Sequence, residues 1–164
     1  MNESQCDGHQ QPGHAMRIEK AEQRHIEQVA RLFDLYRQFY QCDPDLHAAR
    51  TFITERIERG ESDIFVARID DDIVGFTQLY PSFCSVELMK IYILYDLYVD
   101  EAHRRTGIGD ALMDRAARWA RENDAGRIDL LTAHDNHAGQ RLYERKGYEI
   151  TNQEFHAYAY YVNN

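Results

Sequence analysis

Residues 91–112 read IYILYDLYVDEAHRRTGIGDAL and change their period twice within one short segment. Residues 91–99 are aliphatic, aromatic and β-branched with no Gly or Pro, the composition of a strand buried on both faces. A polar turn, Asp100-Glu101-Ala102-His103, interrupts them. Beyond it Ile108, Leu112, Ala116 and Trp119 fall at helical spacing, with Asp114 and Arg118 on the opposite side. The segment is therefore a strand, a loop and a helix, and the other elements arrange themselves around it.

The loop is Arg104-Arg105-Thr106-Gly107-Ile108-Gly109. Its glycines permit positive φ and let a ligand approach the backbone, while the free N–H groups of the helix start form an anion cradle suited to a pyrophosphate. A Walker-type loop would need Gly-Lys-Ser/Thr, which is absent. A dinucleotide fingerprint would need a third glycine, which is also absent. What remains is R-x-x-G-x-G, a pattern that any Gly-rich helix start could match when taken alone.

A second motif lies downstream: Asn136-His137-Ala138-Gly139-Gln140-Arg141-Leu142-Tyr143-Glu144-Arg145-Lys146-Gly147-Tyr148. With the LYDLYV strand and the loop, in that order and with a strand between, it resembles the GNAT superfamily of acetyl-CoA-dependent N-acetyltransferases, bacterial small-amine and polyamine-like members in particular. The resemblance covers residues 73–148 and implies an α/β fold, a sandwich on a mixed, mainly antiparallel central sheet with helices on both faces. It also implies acetyl-CoA as co-substrate, with its pyrophosphate on the cradle formed by Arg104, Arg105, Thr106, Gly107, Ile108, Gly109 and Asp110. The carboxylate of Asp110 suits the helix dipole but opposes the cofactor's charge, so it is expected to point away.

Composition is compatible with that reading. A chain of 164 residues, 43% hydrophobic, suits one globular domain with a core of its own. The net charge of -9 argues against nucleic acid as a partner, which would need clustered Lys and Arg. It favours a cationic partner, or simply solubility. Cys6, Cys42 and Cys84 form no CxxC pair, so they read as free thiols rather than a disulfide framework or a zinc knuckle. No apolar run reaches the roughly 18 residues of a membrane span, and no basic-then-apolar leader is visible. A cytoplasmic protein is expected, with no metal, no membrane partner and a homodimeric state. Residues 1–15 are polar and aperiodic and read as a disordered tail, the acetyltransferase domain occupying 16–164.

Upstream, Ile26, Val29, Leu32, Phe33 and Tyr36 make a helical stripe continuing to Phe39 and Tyr40. Asp43-Pro44 breaks it, and a second helix is expected from Leu46 or His47 to Glu58, stopped at Gly60. Residues 64–69 and 73–79 flank an acidic turn, a hairpin signature. Residues 81–89 read as a loop or strand extension. After the central helix a strand is expected over 127–133, a short helix over 138–145 closed by Gly147, and a final pair of strands over 148–151 and 155–162.

By the resemblance, the first two helices form one wall of the acceptor site. Tyr36, Tyr40, Asp43 and Asp45 become candidates for contacting an amine, against the alternative that the aromatic stripe is core. Glu87 is either an amine-binding carboxylate or a solvated loop residue. The strand end Leu97-Tyr98-Val99 is expected to offer its backbone to the pantetheine arm and to splay from the next strand, a bulge there freeing an N–H for an oxyanion. Asn136 is expected to bond the pantetheine arm or a water, or to cap the helix; Gln140 belongs to the same motif.

The reaction needs a neutral amine and a proton for the departing thiolate. Tyr143 stands at the family's LY tyrosine, to which that donor role is assigned. Polyamine-type relatives carry a Glu where this chain has Tyr95, which is expected on the acceptor-binding side and is followed by Asp96. Asp96 is thus either the general base, directly or through water, or a carboxylate satisfying nearby backbone. His134 and His137 are further base candidates, and two such ligands make no metal site. The function expected is transfer of acetyl to a primary amine of a small molecule or of a protein lysine or N-terminus, by direct attack. The alternative is an acetyl-CoA-binding regulatory module that transfers nothing.

Overall fold

The computed structural model describes residues 15–151 and 158–162. Residues 1–14, which hold nearly all of the expected tail, and residues 155–157 of the expected last strand lie outside them. The chain divides into two compact units, one ending at Leu131 and one beginning at Thr132.

The first unit is a five-stranded sheet in the order β1 (Arg17–Lys20), β2 (Asp63–Ile69), β3 (Asp72–Cys84), β4 (Met89–Val99) and β5 (Arg127–Leu130). The first four strands pair antiparallel and β5 joins β4 in parallel. A parallel neighbour requires a crossover, and α3 (Ile108–Glu122) supplies it. Helices α1 (Ile26–Phe39) and α2 (Leu46–Arg59) precede β2.

Alternation along β2 shows why the sheet carries helices on both faces. Ile64 and Val66 join Val29, Leu32 and Phe33 of α1 and Ala49 and Ile53 of α2 in one buried cluster. Phe65, their neighbour on the opposite face, lies 5.5 Å from the Trp119 ring of α3. A strand covered on both sides must be apolar at consecutive positions, and residues 64–67 are all buried. Gly75 on β3 makes the approach of α3 possible. A Cβ there would stand 3.0 Å from the Tyr98 carbonyl oxygen and 3.2 Å from Ile108 Cγ2, the first residue of α3.

Residues 81–84 extend β3 beyond its pairing with β2, and the turn that follows spans 85–88, so the extension reading of this stretch holds. The strand expected over 127–133 ends at Leu130. In the second unit, α4 runs His137–Arg145, and the Asn136 side chain accepts from Gly139 N at 3.1 Å as its cap. Gly147 follows at φ 81, the left-handed residue just past a helix end. The strands expected at the C-terminus are not formed over 148–151 or 158–162.

Candidate active site

The site is built on β4. Its register with β3 slips between Gln78 and Leu79: Gln78 faces Asp96 and Leu79 faces Leu94, leaving Tyr95 as the extra residue of a bulge. The bulge was expected at Leu97-Tyr98-Val99 and lies just before them. It re-aims two side chains. Tyr95 is exposed with its ring 5.5 Å from that of Tyr80, and Asp96 is buried at 6% exposure.

Asp96 is held from one side by a polar chain. Ser62 Oγ donates to Gln78 Oε1 at 2.7 Å, and Gln78 Nε2 donates to Asp96 Oδ2 at 2.6 Å. Burial pushes the Asp96 carboxyl up to about 6, opposed by the hydrogen bonds from Gln78 and the Tyr36 hydroxyl. The one proton of the Tyr36 hydroxyl is shared between Asp96 and the Tyr95 carbonyl, which lies 2.9 Å away. A carboxylate so placed is ionised near neutrality yet basic enough to accept a proton.

Asp96 opens onto a cavity of about 330 Å³ that it lines with Phe33, Phe52, Tyr80 and Tyr95. Burial and the neighbouring Asp96 charge push the Tyr80 hydroxyl up to about 12, so it is a neutral donor at physiological pH. Of the acceptor-side candidates, the structure brings Tyr95 and Asp96 to the cavity and sets Tyr36 beside them. Tyr40 stacks edge-on against Tyr36, ring centroids 5.2 Å apart, and is 43% exposed. Asp45 caps α2 by accepting from Ala48 N at 2.9 Å. Glu87 is not brought there: it sits in the β3–β4 turn and pairs with Arg127 at the start of β5.

Phe33, Phe52, Tyr80 and Gln78 were not read as site residues. Phe33 was legible only as core, and Phe52 meets it, rings 5.3 Å apart, from a different helix. Gln78 carried the one available signal, an uncharged amide within a mostly apolar strand that needs a buried partner.

Beyond the bulge the sheet opens. β5 pairs only with Ile91–Leu94 of β4, so among the described residues Leu97, Tyr98 and Val99 have no strand on that side. Asp100 N donates to Val74 O at 2.9 Å, and antiparallel alternation from that bond turns the backbone groups of Leu97 and Val99 toward the open edge. The loop after β4 folds back on it, Arg104 Nε donating to the Val99 carbonyl at 3.0 Å with its guanidinium 5.4 Å from the Tyr98 ring. Arg104 also reaches Glu101 at 3.2 Å. Arg105 adopts φ 64, and Thr106 Oγ1 donates to the His103 carbonyl at 2.6 Å.

Gly107 precedes α3 at φ 85, with no side-chain cap on the helix and nothing within 4 Å of where its Cβ would be. The N–H groups of Ile108, Gly109 and Asp110 thus begin a helix that no side chain closes. An anion fits such a start through its orphan donors and the helix dipole. In the second unit, Gln140 Nε2 donates to the carbonyls of Ala133 and His134 at 3.0 and 2.9 Å, and Asn136 Nδ2 donates to Thr132 Oγ1 at 3.0 Å. Tyr143 faces Tyr148, ring centroids 6.2 Å apart. Among the described residues no group of three or more His, Cys, Asp or Glu could hold a metal ion.

A mixed sheet with a bulge in β4, an open edge beyond it and an uncapped Gly-led helix after it make up the candidate site, and its class is given by similarity to known proteins. The acetyltransferase (GNAT) family model matches residues 29–148, and the chain belongs to that family. It is an acetyltransferase of GNAT type. A Bacillus subtilis protein described as an uncharacterized N-acetyltransferase is 41% identical over 134 residues, 82% of this chain and 90% of its own. A probable acetyltransferase from Haemophilus influenzae is 29% identical, covering 85% of this chain and 94% of its own. The crystal structure of a probable acetyltransferase superposes with a TM-score of 0.82 at 39% identity, over 90% of this chain and 99% of that one. An aminoglycoside N-acetyltransferase solved with CoA shares the fold, with a TM-score of 0.78 at 17% identity over 90% of this chain and 97% of its own. No helix among the described residues is long and apolar enough to cross a membrane.

Proposed function

We propose that the protein transfers the acetyl group of acetyl-CoA to a primary amine by direct attack, with Asp96 as general base and Tyr143 as the proton donor to sulfur. The observation that carries this reading is Asp96: a carboxylate buried at a strand bulge, raised to about 6, and facing a cavity. A base with that affinity takes a proton from an ammonium and remains charged enough to attract it.

The bound thioester supplies an activated acetyl group; this chain's residues supply position and protons. The uncapped start of α3, Gly107 to Asp110, suits the pyrophosphate, with Arg105 beside it. Arg104 is engaged by Val99 and Glu101 and braces the loop. The open backbone of Leu97 and the N–H of Val99, whose carbonyl Arg104 occupies, suit amide groups of a pantetheine arm. Asn136 is committed to its cap and to Thr132, and Gln140 to the turn before α4, so both support the motif by shaping it.

As the N–C bond forms and the C–S bond breaks, the ammonium loses two protons. One leaves through Asp96 to solvent, and the other restores the Tyr143 hydroxyl that protonates the sulfur. The donor role of Tyr143 comes from its place in the LYE sequence of α4.

The test is thiol release from acetyl-CoA with a panel of primary amines and lysine peptides. Release that depends on an amine is expected. Release no greater than the amine-free rate across the panel would overturn the reading. Tyr143→Phe keeps the ring and is expected to lower turnover by roughly 10²- to 10⁴-fold with acetyl-CoA affinity unchanged; a variant as fast as the parent removes Tyr143 from the mechanism. The free thiols Cys42 and Cys84 suit a reducing cytoplasmic setting, and gel filtration tests the expected homodimer.

A further inference from the structure

The cavity beside Asp96 is unusual in what lines it. Phe33 and Phe52 enter from the helices and Tyr80 and Tyr95 from the sheet, the first pair stacked at 12° and the second edge-on at 86°. Asp96 is the one charged residue among the five lining residues described. Other charges nearby are already matched. Arg56, whose guanidinium lies 4.5 Å from the Phe52 ring, is ion-paired with Glu61 at 2.7 Å and with Glu55 at 3.2 Å.

We infer that this cavity selects a monocationic primary amine with an apolar body, an arylalkylamine or alkylamine, its ammonium on Asp96 and its chain among the four rings. The inference rests on the acetyl-transfer reading for the identity of the site and deepens it by naming the acceptor class.

Three physical arguments converge on that class. An ammonium near aromatic faces gains cation–π attraction in addition to its ion pair. A single carboxylate neutralises a single charge, so a second ammonium of a polyamine would have ring faces but no carboxylate to pair with, and the several hydroxyls of an aminosugar would outnumber the Tyr80 and Tyr95 hydroxyls. Such groups lose their bonds to water and regain few. Size points the same way. At about 330 Å³ the cavity lies near the lower end, roughly 300 Å³, of the range found for small-molecule sites. An elongated amine with one ring fits that scale better than a multi-ring aminoglycoside.

Two measurements on the full chain test this and keep it separable from the reading beneath it. In the first, kcat/KM is compared for phenethylamine, hexylamine, spermidine, glucosamine and kanamycin by thiol release. Phenethylamine or hexylamine is expected to exceed spermidine, glucosamine and kanamycin by roughly 10²-fold, the discrimination a well-matched apolar pocket achieves. In the second, calorimetry without acetyl-CoA compares phenethylamine with 2-phenylethanol, a neutral analogue of similar shape. The amine is expected to bind and the alcohol not, with Phe52→Ala weakening the amine and Asp96→Asn abolishing the preference.

Turnover that favours spermidine or kanamycin overturns the acceptor class and leaves acetyl transfer standing. Selective binding of phenethylamine with no turnover of any amine supports the cavity's selectivity and overturns acetyl transfer. Equal affinity for amine and alcohol overturns the inference whatever the turnover.

Discussion

Two candidate functional segments hang from β4, one at its middle and one at its end, and they are made of different material. At the middle, the Tyr95 bulge presents side chains: Asp96, supported by Gln78 and Ser62, with aromatic rings from four elements around it. At the end, the loop into α3 presents backbone, with Arg105 and Gly107 at positive φ and helix N–H groups that no side chain caps. Chemistry carried by side chains changes when one residue changes. Chemistry carried by backbone depends on conformation and tolerates many sequences provided the turn is kept. The same fold can therefore keep a common cofactor while its acceptor differs from relative to relative.

The sharpest way to break that contrast is to remove the charge at the bulge. Asp96→Asn retains an acceptor for Gln78 and is expected to lower kcat/KM by roughly 10²- to 10⁴-fold, the range for losing a general base. In the parent, kcat/KM is expected to rise with pH through about 6 as Asp96 ionises. The variant should lose that limb, and a limb that survives assigns it to another group.

The same substitution should act in the opposite direction on stability. Because burial raises the Asp96 carboxyl above its unfolded value of 3.8 to about 6, its ionisation opposes folding above that window and has no effect below the unfolded value. Asp96→Asn is therefore expected to be more stable than the parent at pH 8, by up to about 3 kcal/mol for a shift of about two units. The advantage should fade between pH 6 and 4. Denaturant melts at pH 8 and pH 4 measure it, and an advantage that is equal at both would show that the gain is not electrostatic.

At the other end of β4, Gly107→Val places a β-branched residue at φ 85, a conformation that costs it roughly 1–2 kcal/mol. Acetyl-CoA affinity by calorimetry should weaken by about tenfold, with the far-ultraviolet circular dichroism retained. Unchanged affinity would mean that the loop's backbone is not the phosphate cradle. The smallest effect belongs to Glu87→Gln. Its pair with Arg127 is an exposed one, worth roughly 0.2–1 kcal/mol of stability at most. Acceptor KM should stay within about twofold, and a larger rise would return Glu87 to the amine site.

The same division between backbone and side chains explains what could be read before any coordinates. The strand–loop–helix of residues 91–112 is local: its apolar run, its glycines and its helical period lie in one segment, and the structure forms each of them. The stripe from Ile26 and the hairpin around Asp70-Asp71 are local too. The cavity is not. Phe33 and Phe52 belong to separate helices and Tyr80 and Tyr95 to separate strands, and no period announces that they meet. The bulge was anticipated a few residues late because it arises from a slip between Gln78 and Leu79 on the partner strand, outside the segment that shows it. Glu87 was drawn toward the acceptor side by proximity in sequence, whereas the hairpin carries it out to a turn beside Arg127. The strands expected at the C-terminus followed from aromatic and β-branched composition, a preference that by itself supplies no partner strand, and over 148–151 and 158–162 none is formed.

Gly75 and Gly107 would look alike in an alignment column and should behave as opposites in a mutational scan. Gly107 has open space around it and a left-handed φ, so its tolerance should follow backbone preference: Asn and Asp survive best and β-branched residues worst. Gly75 lies in a strand, and the atoms that crowd it are the Tyr98 carbonyl oxygen and the Ile108 and Val99 methyl groups, all within 3.3 Å of a would-be Cβ. Nothing about backbone preference rescues a substitution there; even Ala must push the first residue of α3 by a few tenths of an ångström. Position 75 should therefore reject all nineteen replacements to a degree that grows with side-chain volume, a steric ranking that a scan would distinguish at once from the conformational ranking at 107.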